Sequence, residues 1–124
     1  MESESPDPRV PVDPNALEGL RRFGGDALLR QVVTLFRDQV RVRHEAMRGA
    51  VANGDPATAR NAAHALKSSA GQVGAVGMQE LCQRIERAAA DGDRARVAEF
   101  VAEFDYVIPA TDTWLSDRGF PREP

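Results

Sequence analysis

Apolar residues recur along this chain at helical spacing. Between Asp26 and about Ala52, Leu29, Val33, Phe36, Val40, Met47 and Val51 follow one another largely at three- and four-residue steps, which gathers them on one face of a long amphipathic helix. A second stripe runs through Ala59, Ala62, Leu66, Ala70 and Val73, and a third through Met78, Leu81, Cys82 and Ile85. Val97, Phe100, Val101, Phe104 and Ile108 form a fourth. No stretch alternates polar and β-branched residues in the manner of a half-buried strand, so the pattern calls for helices alone.

The breaks between stripes carry start and stop signals. Asp13-Pro14 and Asp55-Pro56 each pair an N-cap acid with a proline suited to a first helical turn. The first opens a short helix through about Arg22 that Gly24-Gly25 ends; the second opens the helix of the Leu66 stripe, which Gly74 terminates. Asn53-Gly54 stops the long helix, Asp91-Gly92 closes a helix running from about Ala75 to Ala90, and Asp93 caps the last one. Pro109 lacks an amide hydrogen and crowds the carbonyl of Asp105, which predicts a kink or an end there. With connections this short, consecutive helices lie antiparallel. The predicted fold is all-α, an antiparallel up-down four-helix bundle with an additional short N-terminal helix. The bundle spans residues 13–115, between a disordered segment 1–12 and a flexible tail 116–124, both rich in proline and charge.

Composition narrows the function. A chain of 124 residues builds one core, and a net charge of -3 offers no general attraction to nucleic acid or to anionic membranes. No apolar run approaches the roughly 20 residues that a membrane helix needs, and the opening segment does not look like an export signal. The single cysteine, Cys82, forms no internal disulfide or thiolate cluster, which suits a reducing cytoplasm, and it is expected simply to pack.

Candidate chemistry gathers on the Leu66 helix. At 100° per residue from His64, Lys67 falls at about -60°, Ser68 at about +40° and Gly71 at about -20°, while Leu66 and Val73 fall near 180°. His64 therefore points away from the core, among a cation and two very small residues. A glycine inside a helix costs about 1 kcal/mol relative to alanine, and access for a large partner would compensate. Imidazole, with an ordinary pKa of about 6.5, attacks phosphorus when neutral. A neighbouring Lys67 would disfavour imidazolium and would also pair with phosphoryl oxygens. Such a sparse site suffices for phosphoryl transfer, which needs in-line approach and charge stabilisation more than covalent help.

The run A-H-A-L-K-S-S-A-G-Q-V-G-A, followed by L-C-Q-R-I-E ending at Glu86, resembles the signature of histidine-containing phosphotransfer (HPt) domains, and the helix order agrees over roughly residues 13–108. The resemblance implies a four-helix bundle that relays a phosphoryl group between aspartates of receiver domains and has no kinase activity of its own. His64 would be the phospho-acceptor and Lys67 the phosphate-stabilising cation. Ser68 stands where the family most often has glycine, and its hydroxyl would reach either a phosphoryl group or the backbone. Glu86, with Gln79 and Gln83, lies where the family often places a polar residue close to the histidine; it would either orient the imidazole or be a solvated acid. Implied partners are receiver domains of response regulators or a hybrid sensor histidine kinase, met by a monomer without cofactor or metal.

Other residues read more plainly. His44 sits at the edge of its helix's apolar stripe, near Val40 and Met47, as a partly buried structural histidine. The two histidines lack metal-ligand spacing, and no phosphate-binding glycine loop exists to hold a nucleotide. Arg37, Arg41, Arg43 and Arg48 read as a solvated helix face. The alternative function is a receiver-binding module that exchanges no phosphate, recognisable by binding indifferent to His64 and Lys67. An ATP-dependent kinase fragment or a metal-dependent hydrolase fits less well.

Overall fold

Aspartate caps and glycine stops shape the chain where the sequence puts them. A computed structural model describes residues 5–122. The helices are α1 (Pro14–Asn53), α2 (Pro56–Val73), α3 (Val76–Ala90), α4 (Arg94–Ala102) and α5 (Phe104–Asp117). Asp13 accepts from the Asn15 amide, Asp55 from Thr58 and Asp93 from Arg96, each relieving an amide that the first helical turn leaves without a partner. Gly54 (φ 63°) and Gly74 (φ 83°) end α1 and α2 in the left-handed conformation. At Gly74 a side chain would also strike the backbone carbonyl of Asp13.

The described residues are all helix and connection, with no strand among them. The buried stripes meet in one core that includes Leu29, Val33, Phe36, Met47, Leu66, Leu81, Ile85 and Trp114. α2 packs most extensively, against α1 on one side and α3 on the other. Small residues allow this: Ala59, Ala62, Ala63 and Ala70 are all buried on α2.

α1 is itself two helices joined across a kink at Gly25, which alone leaves helical geometry (φ 79°, ψ -175°), and the first of them lies where the sequence places the short N-terminal helix. Three expectations change. The last helix is interrupted at Glu103 rather than at Pro109, which lies inside α5. Prolines distort the turn that precedes them, and a new start at Phe104 places the crowded Asp105 carbonyl in a first turn. Glu103 keeps helical dihedrals (φ -66°, ψ -18°), so the burial stripe runs through the break at three- and four-residue steps, from Val97, Val101 and Phe104 to Val107, Thr111, Trp114 and Leu115.

The chain ends also differ from expectation. Within the segment expected to be disordered, Val10 is only 1% exposed, and the Pro11 carbonyl accepts from the Gly77 amide at 2.8 Å. Gly77 makes the room: a Cβ there would stand 2.9 Å from Val10 Cα. Within the tail expected to be flexible, Phe120 packs against the core and its carbonyl accepts from Arg37. Residues 1–4 and 123–124 of those two segments lie outside the described residues.

Candidate functional site

α2 and α3 run side by side with their outer faces open, and the residues singled out in the sequence converge there. His64 keeps 73% of its side chain exposed and holds Glu86 Oε2 through Nδ1 at 2.6 Å. Lys67, one turn along α2, donates from Nζ to Glu86 Oε1, also at 2.6 Å. Glu86 is the most enclosed of the three, 17% exposed against 29% for Lys67. One carboxylate therefore bridges a ring and an ammonium, an oxygen to each.

The carboxylate settles the state of this chain of bonds. Burial alone would push Glu86 upward, but hydrogen bonds from Lys67 and His64 outweigh it and hold the group below its ordinary value. An ionised carboxylate only accepts, so Nδ1 carries the hydrogen, and in the neutral ring the lone pair is then on Nε2. Sequence geometry placed Lys67 directly beside the imidazole. In the structure Glu86 stands between them, so the ammonium charge is met by the carboxylate instead of by the ring.

Ser68 is exposed on the same face and makes no side-chain hydrogen bond among the described residues. Gly71 does not leave bare surface; Gln79 from α3 covers it, its Nε2 2.6 Å from where a Cβ would be. The glycine thus serves the approach of the two helices. Gln83 is exposed on α3.

The remaining candidates lie elsewhere. His44 sets its ring against Phe104, centroids 5.2 Å apart, and burial first, then the charge of Arg48, hold it below the ordinary histidine value. Cys82 is buried behind the site, its thiol pushed up to about 12 chiefly by burial. Among the described residues no cluster of three or more metal-ligating side chains occurs, and no helix is long and apolar enough to cross a membrane.

What the face can do chemically is limited and definite. It presents one nucleophilic nitrogen on a rigid helix, with an anion behind the ring to steady positive charge and a cation one turn away. A family model described as Hpt domain matches residues 31–114, which include His64, Lys67, Ser68 and Glu86. No curated protein and no solved structure matches the chain.

Proposed function

Because the chain belongs to the Hpt domain family, we propose that it carries a phosphoryl group on Nε2 of His64 between aspartates of receiver domains. Hpt domains in general take part in phosphorelays by histidine phosphotransfer, and they act there as phosphocarriers. The observation that carries the reading for this chain is the exposed His64 ring tied through Nδ1 to Glu86.

Nε2 attacks the phosphorus of an aspartyl phosphate in line; the N–P bond forms as the acyl P–O bond breaks, and the aspartate leaves as carboxylate. Positive charge then builds on the ring, and Glu86, bonded to Nδ1–H, offsets it. The Lys67 ammonium has three donors, so it keeps Glu86 while turning another hydrogen to a phosphoryl oxygen. Ser68 offers a hydroxyl on the same face. Transfer to a second receiver reverses these steps, and any divalent ion belongs to the receiver. The finer architecture of this reading is an antiparallel up-down bundle acting as a monomer in the cytoplasm. Short connections at Gly54-Asp55 and Gly74-Ala75 support that helix arrangement.

The test is incubation with a phosphorylated receiver. The expected product loses its label in acid, keeps it in base, and does not form with His64→Gln. Wild type that takes up no label from any receiver domain of its own cell ends the proposal.

A further inference from the structure

α1 and α5 scarcely pack on each other and part over a cleft of about 800 Å³. Its floor is apolar, built on Val33, Phe36, Met78 and Ile108. The volume lies within the roughly 300–1,000 Å³ of small-molecule sites. Three arginines of α1 line it, Arg30, Arg37 and Arg41, whose spacing of seven and then four residues puts them on one side of the helix.

These arginines are not equivalent. Arg37, in the middle, is satisfied: it pairs with Asp112 at 3.3 Å and donates to the carbonyls of Phe120 at 2.5 Å and Pro121 at 3.4 Å. Asp112 also takes Arg122 at 3.5 Å. Arg30 has no acidic partner among the described residues. Arg41 reaches only Asp38, at the 4.0 Å limit of an ion pair, with 70% of its side chain exposed. Against Arg30, Arg37, Arg41 and Arg122 the cleft sets two acids, Asp38 and Asp112, so its lining carries an excess of positive charge, with Arg30 unpaired at one end and Arg41 only loosely held by Asp38 at the other. Eleven residues of helix separate those ends by about 16 Å.

We propose that the cleft binds an elongated dianion with an apolar middle, of the class of linear α,ω-dicarboxylates, one carboxylate at Arg30 and the other at Arg41. The chain lies along the apolar floor, and each end exchanges water for charge-assisted hydrogen bonds from a guanidinium. None of these residues belongs to the His64 site, so binding is independent of phosphotransfer.

The experiment titrates the whole protein with dodecanedioate, dodecanoate and 1,12-dodecanediol, each below any aggregation threshold. Trp114, the sole tryptophan, lies buried one turn beyond Thr111 of the cleft wall and reports binding by fluorescence. Amide shifts in a ¹H–¹⁵N spectrum locate it. The diacid should bind saturably and more tightly than the monoacid, and the diol weakest, with shifts at Val33, Thr111 and Phe120 and none around His64. Arg30→Ser and Arg41→Ser should each weaken diacid binding about tenfold with unchanged melting temperature, and His64→Gln should leave it unaltered. Diol binding as tight as the diacid's, shifts centred away from the cleft, or a diacid that does not saturate would each overturn the proposal. So would two arginine variants that bind the diacid like wild type.

Discussion

Two histidines occur in this chain, and the fold treats them in opposite ways. His64 projects from α2 into water with a carboxylate behind it, whereas His44 lies half-buried on α1 with its ring against Phe104 of α5. Each sits on an amphipathic helix within a turn of buried aliphatic residues. The difference comes from the neighbours across the helix boundary: α3 offers Glu86 to one ring, and α5 offers an aromatic face to the other. An imidazole is held open to solvent or packed away according to what the next helix brings.

Exchanging or removing these neighbours tests that contrast. The largest effect expected is functional: His64→Gln should lower receiver-dependent phosphorylation by orders of magnitude while leaving the melting temperature unchanged, because an exposed ring contributes little packing. His44→Gln should do the reverse, keeping transfer and losing stability by about 1 kcal/mol or more through the unpaired amide and the lost ring contact with Phe104. Transfer retained by the first variant, or lost by the second in a folded protein, would dissolve the contrast. Glu86→Gln is expected to slow transfer roughly tenfold to a hundredfold, by analogy with other groups that orient a histidine. Single-turnover rates against pH check this, since a mere packing role would leave the profile in place.

The smallest effects are in the pH dependence of stability. Both His44 and Glu86 have folded-state values below their unfolded ones. For such groups the unfolded chain binds protons first, so their stabilisation is complete above the unfolded value and fades as pH falls through the folded one. For His44 this loss begins near 6.5, the ordinary histidine value, and for Glu86 near 4.5. Denaturant titrations should therefore show two acid-side slopes, the upper absent in His44→Gln and the lower reduced in Glu86→Gln. A single slope that neither substitution alters would contradict the assignments.

Much of the site was legible because its parts lie on one helix. The spacing of His64, Lys67 and Leu66 alone put the ring outside and the leucine inside. Glu86 was legible only as a candidate, since no pattern within α3 says which residue of α2 it will meet 22 positions away. That missing register also hid the carboxylate between ring and ammonium, and the Gln79 side chain over Gly71.

The fold was least legible where local signals conflicted. Proline and acid in the first twelve residues suggest a loose end, yet Val10 finds a slot that exists only because position 77 lacks a side chain. A glycine beside an apolar dipeptide elsewhere in the chain was the available hint. In α5 the proline drew attention to itself and away from the Thr111, Trp114 and Leu115 spacing that continues beyond it. The break at Glu103 leaves no mark in the residue spacing, because the three- and four-residue steps run through it from Val97 to Leu115.

Cys82 gives the molecule a built-in clock. With its thiol raised to about 12 and sealed behind the α2–α3 pair, it holds almost no thiolate at neutral pH and offers no approach to an alkylating reagent. Iodoacetamide can label it only during moments when the packing around α3 opens, so the labelling rate under native conditions counts such openings. Those that part α3 from α2 would also separate Glu86 from His64 and Lys67, so the count is an upper limit on how often that face comes apart.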